Sequence, residues 1–376
     1  MTFQPRSMLI ALASLFSLSL AQPGMATTAT PVTAADVAAT IAACAPGAAC
    51  AKPLPVRMVI VTLFEIGADS GDKPGEFQLW KERRKLDVRI PFPQSHHDLY
   101  YNPDTQVLGI VTGMGNIKSA TATMALGLDQ RFDLSKAYWL VAGIAGIDPE
   151  DASIGSAAWA HYLIDGDLSH EIDPREIPAD WKTGYFPLHS KGPNDPSPPV
   201  GQGEVFEANV ALRDWAYDLT KDMTLPDDPS IQKERARFTS HPKAQLPPFV
   251  LKGDQLAAMT FWHGKLLTDW ANGWVDYWTQ GKGEFVTSAM EETGTFQAIT
   301  YLDKIGRVDK DRVMVLRAGS NFTMPPPDDN AAHYLLSENE GYAGMTAALE
   351  SLYAVGSKVV DEILNHWDRY EQAPPR

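Results

Sequence analysis

The sequence predicts an α/β fold on three observations. Nearly uninterrupted apolar segments read as strands buried on both faces, amphipathic helical segments alternate with them, and glycines or polar side chains stand where the strands run out. The first strand spans 57–64 and leaves Glu65 at its exit. Further strands are expected at 107–112, 137–142, 157–164, 248–251, 284–289 and 312–318, with helices at 119–129, 207–221, 264–279, 291–304 and 342–368. In an open α/β sheet a small ligand sits beyond the carboxyl ends of strands, so the polar residues at these ends are the first candidates for a site.

Composition narrows the class. With 376 residues, 44% of them hydrophobic, the chain can bury one large core, and we read a single domain over 56–376. Residues 165–248 form a long insertion, either a lid or an oligomer contact, and the Pro-, Gly- and Ser-rich stretch 188–203 reads as an exposed loop within it. A formal net charge of −15 and the lack of any basic patch argue against nucleic acid as a partner. Residues 1–26 read as a secretory signal peptide: Arg6, an apolar run from Met8 to Leu20, then small residues with cleavage after Ala21 or Ala26. That run is shorter than the roughly 20 residues a spanning helix needs, so the mature chain is expected to be exported, periplasmic or secreted, and soluble. Residues 27–55 form an Ala-, Thr- and Pro-rich extension with a helical pattern at 34–43. Its two cysteines, Cys44 and Cys50, are the only ones in the chain, and export predicts a local disulfide between them.

The candidate motifs each admit a structural and a functional reading. Val111-Thr112-Gly113-Met114-Gly115 ends a strand and starts a helix whose amides either hold an anion or a sugar hydroxyl, or simply close a tight turn. Ala142-Gly143-Ile144-Ala145-Gly146 repeats the pattern, with glycines that let a flat ring approach the backbone. Glu291 is either a sugar-binding carboxylate or a helix-start acid favoured by the macrodipole, and Asn321 either a base-binding amide or a turn residue before Pro325. Gly253-Asp254-Gln255 reads as a polar strand exit, and His263 of the Trp262-His263-Gly264 that follows either lines the site or is structural. Trp270, Trp274 and Trp278, at four-residue spacing, read as the buried stripe of a helix. No metal site is expected, since His96-His97-Asp98 has no third ligand at a recognisable spacing.

Taken in order, Val111 to Gly115, Ala142 to Gly146, Gly253 to Gln255, Met290-Glu291 and Arg317-Ala318-Gly319-Ser320-Asn321 resemble the nucleoside phosphorylase and nucleosidase superfamily. Within it, Ala142 to Pro149, Asp167 to Asp173, Phe261 to Gly264 and Ala289 to Gly294 resemble the purine nucleoside permease family. The resemblance implies a three-layer fold around a mixed, partly barrel-like sheet, a purine nucleoside as small-molecule partner, and a possible homo-oligomer. It implies that Glu291 binds the sugar hydroxyls with Met290 against the ring and that Asn321 binds the base, and it makes His170 a candidate in a region where a neighbouring subunit can contribute; Gly115, Ala145, Gly146 and His263 join them as binding candidates from the motifs above. Glu65 is the candidate for orienting a hydrolytic water and Asp254 for supporting the base. Cleavage of the N-glycosidic bond is expected, hydrolysis ahead of phosphorolysis, with no cofactor beyond phosphate as a conceivable cosubstrate. The alternative is a noncatalytic nucleoside-binding component of transport.

Overall fold

In the computed structural model, the described residues are 33–44, 50–193, 195–196, 203–338 and 341–376, and the signal-peptide reading lies outside them. The chain opens with helix α1 (Ala34–Ala43), capped by Thr33 and Asp36, and Cys44 is disulfide-bonded to Cys50 with Cα atoms 5.1 Å apart. The two-residue strand β1 (Leu54–Pro55) pairs with β6 (Phe132–Asp133). Strands β2 (Met58–Thr62), β3 (Val88–Ile90), β4 (Leu99–Asn102), β5 (Val107–Val111), β7 (Tyr138–Ile147), β8 (Ala157–Trp159) and β9 (Tyr162–Asp165) then enter the main sheet. A hairpin of β10 (Ser169–Glu171) and β11 (Tyr185–Pro187) stands apart, and the sheet is completed by β12 (Val205–Glu207), β13 (Val250–Lys252), β14 (Asp254–Ala257), β15 (Phe285–Ala289) and β16 (Val313–Phe322). The helices are α2 (Gln78–Arg83), α3 (Asn116–Leu128), α4 (Val210–Thr220), α5 (Pro229–Arg235), α6 (Lys265–Thr279), α7 (Glu292–Lys304), α8 (Ala331–Glu338), α9 (Met345–Asn365) and α10 (Trp367–Tyr370).

Strand β7 is the hub. It runs parallel to β2 over 138–141, parallel to β16 along its other edge, and antiparallel to β15 at Gly146 and Ile147. β16 continues antiparallel to β8, β8 lies parallel to β13, and β9, directly after β8, lies parallel to β14, which returns to β15. The sheet therefore closes on itself around these strands while β2, β5, β4 and β3 extend from it as an open wing. This is a mixed, partly barrel-like sheet with helices on both faces. The largest core cluster joins β2, β5 and β7 to α3 and α7, with Leu126, Ile299 and Leu302 fully buried; a second joins the opposite face to α2, α4 and α9 through Trp80, Leu212 and Val359, and two smaller ones complete the core. Area removed from water at about 25 cal/mol per Å² makes these two apolar layers the main stabilising term.

One expected strand is divided. The segment 157–164 breaks after Trp159, because its halves pair with different neighbours, and the chain at His161 and Tyr162 donates both amides to Asp254 Oδ1, at 3.1 and 2.8 Å. Two others run longer than expected: β7 and β16 stay paired through Gly146 and Asn321, so the motif residues lie within strands and not past their ends. The insertion is not all periphery, since α4 packs on α9 and β8 within the helical layer. Trp270, Trp274 and Trp278 are buried along α6.

Helix α9 is held at both ends. Gly344, which precedes it, donates its amide to Ser320 O at 3.0 Å, and a Cβ there would lie only 2.6 Å from the same oxygen, so the close approach requires glycine. Just past the other end, Tyr370 O accepts from Tyr138 Oη at 2.8 Å and from Arg312 Nη1 at 2.7 Å.

Candidate functional site

A cavity of about 200 Å³ opens where β2 and β16 end, beside residues 144–146 of β7 and the end of β15 that pairs with Gly146. Its wall includes Leu63 and Phe64 after β2, Ala145 and Gly146 from β7, Met290 and Glu291 after β15, and Arg317, Ser320 and Asn321 from β16. Trp262, Phe261 and Tyr342 supply aromatic surface, the rings of Phe261 and Tyr342 lying stacked with centroids 6.4 Å apart.

The charged floor is built around Arg317, which is 2% exposed. Its Nη2 donates to Glu291 Oε2 at 2.8 Å, its Nε and Nη2 to Glu292 Oε1, and its Nη1 to Ile144 O at 2.6 Å, with Glu76 Oε1 at 3.8 Å. The guanidinium passes so close to β7 that a Cβ on Gly143 would stand 2.2 Å from Nη1, which makes glycine obligatory there. Glu291 is fixed a second time by the Gly115 amide at the start of α3, 3.0 Å from Oε1, and its carbonyl accepts from Ser119 Oγ at 3.1 Å. α3 and α7 thus begin side by side at this carboxylate, and Asn116 Oδ1 accepts from Gly294 N at 2.9 Å across the junction.

Glu76 lines the cavity from the loop before α2. Its Oε2 accepts from Leu63 N at 2.7 Å and its Oε1 from Ile144 N at 2.8 Å. Burial pushes its carboxyl up to about 8, with Arg317 pulling the other way and Glu291 adding to the rise. Glu292 is also raised by burial, opposed by Arg317, and the surrounding carboxylates hold the Arg317 guanidinium firmly charged. Three carboxylates therefore share one cation.

At the other end of the cavity, Asn321 Oδ1 accepts from Ser320 Oγ at 2.9 Å, and Asn321 Nδ2 lies 3.5 Å from Glu338 Oε2. The structure brings Asn321, Glu291, Met290, Ala145 and Gly146 together on one cavity, and Gly115 reaches it through Glu291.

Four other candidates stand elsewhere. Glu65 does not line the cavity: its carboxylate accepts from the amides of Ile66 at 2.8 Å, Phe77 at 2.8 Å, Gln78 at 2.6 Å and Gly75, so it caps α2 and its loop. Asp254 begins β14 and is no strand exit; it accepts from His161, Tyr162 and Glu284 amides and ties three strands at the end remote from the cavity. His263 lies behind Trp262, stacked on Tyr334 with centroids 5.3 Å apart, and burial pushes its imidazole down to about 4. His170 is exposed on β10 beside Phe186.

Sequence reasoning missed Glu76, which sits among Pro74, Gly75 and Phe77 with no motif around it, and the pairing of Arg317 with Glu292. Gly143 was a signal for the latter, since a glycine inside a buried strand marks close approach.

A family model described as purine nucleoside permease matches residues 55–375. The purine nucleoside permease of Candida albicans is 30% identical over 317 residues, covering 83% of this chain and 76% of that protein. A probable purine nucleoside permease of Schizosaccharomyces pombe is 29% identical over 319 residues, 83% of this chain and 90% of its own length. Among solved structures, a Helicobacter pylori 5'-methylthioadenosine/S-adenosyl homocysteine nucleosidase aligns over 83% of this chain and 100% of its own at 14% identity, with a TM-score of 0.48. A futalosine hydrolase of the same organism aligns over 82% and 98% at 13% identity, also with a TM-score of 0.48. With a match to nearly all of the domain, this chain belongs to the purine nucleoside permease family.

Proposed function

We propose that the cavity binds a purine nucleoside and that the protein hydrolyses its N-glycosidic bond. The observation that carries the reading is the placement of a doubly anchored Glu291, a buried Glu76 and Asn321 around one aromatic-lined cavity. A carboxylate has about four acceptor positions, so Glu291 retains capacity for sugar hydroxyls beyond its bonds to Gly115, Met290 and Arg317. Met290 would pack on the sugar and the aromatic side chains on the base.

In the proposed reaction a water oriented by Glu76 attacks the anomeric carbon. The carbon–nitrogen bond breaks with its electron pair leaving on the purine, the water's proton passes to Glu76, and the purine takes up a proton to leave as the neutral base. Asn321 hydrogen-bonds the base as charge develops there. Glu76 takes the part expected of Glu65, whose carboxylate is committed to backbone amides. Hydrolysis is favoured over phosphorolysis because, among the described residues lining the cavity, Arg317 is the only cation and it already faces three carboxylates.

The relatives' name favours a second reading, binding without turnover as part of uptake. Among the described residues no helix is long and apolar enough to cross a membrane. Export through the 1–26 segment and a homo-oligomeric state are parts of the proposal as well.

Incubating the protein with inosine, guanosine and adenosine, with and without phosphate, tests the cleavage reading against the binding one. Free base without phosphate, abolished by Glu291→Ala, is the expected result. Release only with phosphate would replace hydrolysis by phosphorolysis, and saturable binding without release would support the second reading.

A further inference from the structure

Asn321 stands in a wall between two cavities. Behind it lies a smaller one of about 130 Å³, lined by Glu234, Arg237, Tyr334, Ser337 and Glu338 and sharing Ser320 and Asn321 with the first. Nothing in the proposed reaction uses this second space, yet it holds a carboxyl group within reach of the amide that would read the base. Glu338 Oε2 lies 3.5 Å from Asn321 Nδ2, and Glu338 Oε1 is buried without a hydrogen-bond partner among the described residues.

The orientation of this amide has a chemical consequence. An amide edge turned one way offers its NH₂ to the 6-oxygen of a 6-oxopurine, and its oxygen to N7–H once the departing base is protonated there. Turned the other way it offers NH₂ to N7 and its oxygen to the 6-amino group of adenine. Three neighbours act on the choice: Phe322 O and Glu338 Oε2 accept from Nδ2 at 3.4 and 3.5 Å, and Ser320 touches the amide oxygen. Ser320 Oγ donates to Asn321 Oδ1 at 2.9 Å, but the same hydroxyl also reaches Ala145 O at 3.3 Å and could instead accept from a reversed amide. Ser320 therefore tolerates both orientations, and the acceptors that discriminate, the Phe322 carbonyl and the Glu338 carboxyl, are on the Nδ2 side; of the two, only Glu338 can change its protonation.

We propose that Glu338 is a positioning residue for base specificity: by accepting from Nδ2 it fixes the Asn321 amide in the orientation that selects 6-oxopurine nucleosides over 6-aminopurine nucleosides. The inference rests on the nucleoside-site reading and goes beyond it by assigning the second cavity and the substrate class. An ionised Glu338 can only accept, so it enforces this orientation, whereas a protonated one can also donate to a reversed amide. Burial and the nearby Glu234 push its carboxyl up to about 8. The other charged or titratable groups facing it are Arg237, Tyr334 and Tyr342. The preference for 6-oxopurines should therefore sharpen as pH rises from 6 to 9.

The test is the ratio of kcat/KM for inosine to that for adenosine, or the ratio of their Kd values if either binds without turnover, measured on the full protein at pH 6 and pH 9. The wild type should favour inosine, more strongly at pH 9. Glu338→Leu should lower the ratio by about tenfold or more, the scale on which one amide pair discriminates between bases. Glu338→Gln, which can donate as the protonated acid does and cannot ionise, should hold the ratio near the wild type's pH 6 value at both pH values. Ser320→Ala probes the same amide without touching α8 and should lower the ratio less. An unchanged ratio in Glu338→Leu, or a wild type that prefers adenosine, would overturn this inference alone. Failure of the wild type to bind either nucleoside would overturn the nucleoside site itself and this inference with it.

Discussion

Replacing Arg317 by Met removes the one cation from a buried group of three carboxylates while keeping most of the side-chain volume. Glu292 is wholly buried and has the guanidinium as its charged partner, so without it the carboxylate must either remain ionised in a dry site or take up a proton. Taking up a proton at pH 7 against an ordinary value of 4.5 costs about 1.36 kcal/mol for each of 2.5 pH units, or about 3.4 kcal/mol. Loss of the bond to Ile144 O leaves that carbonyl without its partner and adds about 1 kcal/mol. The sum agrees with the 3–5 kcal/mol typical of breaking one partner out of a buried pair. The penalty has a distinctive pH dependence. A carboxyl whose folded value is raised binds more protons in the folded state, so its cost shrinks as pH falls toward 4.5, by about 2.7 kcal/mol between pH 7 and pH 5. Urea unfolding of wild type and Arg317→Met at both pH values measures this. A loss below about 1 kcal/mol at pH 7, or an equal loss at both, would refute the view that Arg317 is there to neutralise buried carboxylates.

Glu76→Gln should abolish hydrolysis but not inosine binding, and wild-type hydrolysis should rise about tenfold per pH unit below about 8 and level off above it, as expected for a base that must ionise; a flat profile, or an active variant, removes Glu76 from the chemistry. Because the folded state holds the Glu76 proton up to about 8 and the unfolded state loses it near 4.5, this residue's contribution to stability falls through that window, and a urea series from pH 5 to 8 should show the decline reduced in Glu76→Gln. Glu65→Ala should cost about 3 kcal/mol in urea unfolding through lost caps to four amides, with turnover retained by the folded fraction. Asp254→Asn should set an amide NH₂ against the Glu284 N–H and cost about 2 kcal/mol without changing KM; a selective rise in KM would return Asp254 to the site.

The elements legible in the sequence were those with strong periodicity: α6 with its tryptophan stripe, α7, and the apolar strands β2, β5 and β15. The short elements of the wing and the insertion, β3, β4, α2 and α5, carry too few residues for a period to register. The division of 157–164 was hidden because it is set by which strands lie alongside, and the local sequence stays apolar across the break. At the site, Glu291 and Asn321 were visible because they end recognisable motifs. Glu65 misled for a physical reason: a polar residue at a strand exit serves equally well to collect backbone amides from the following loop, and Glu65 has four of them. The carboxylate that enters the cavity, Glu76, comes from that loop, and only the fold reveals which of the two faces inward.

The anchoring of α9 at both ends has a metric consequence. β16, with 10 residues, spans about 33 Å, and α9, with 21 residues, spans about 32 Å. The helix thus matches in length the strand that carries Arg317 and Asn321, and the chain is clamped to Ser320 just before α9 and, through Tyr370 of α10, to Tyr138 and Arg312 after it. A single residue added to α9 would shift it by about 1.5 Å and turn it by about 100°, and the two clamps could no longer both close.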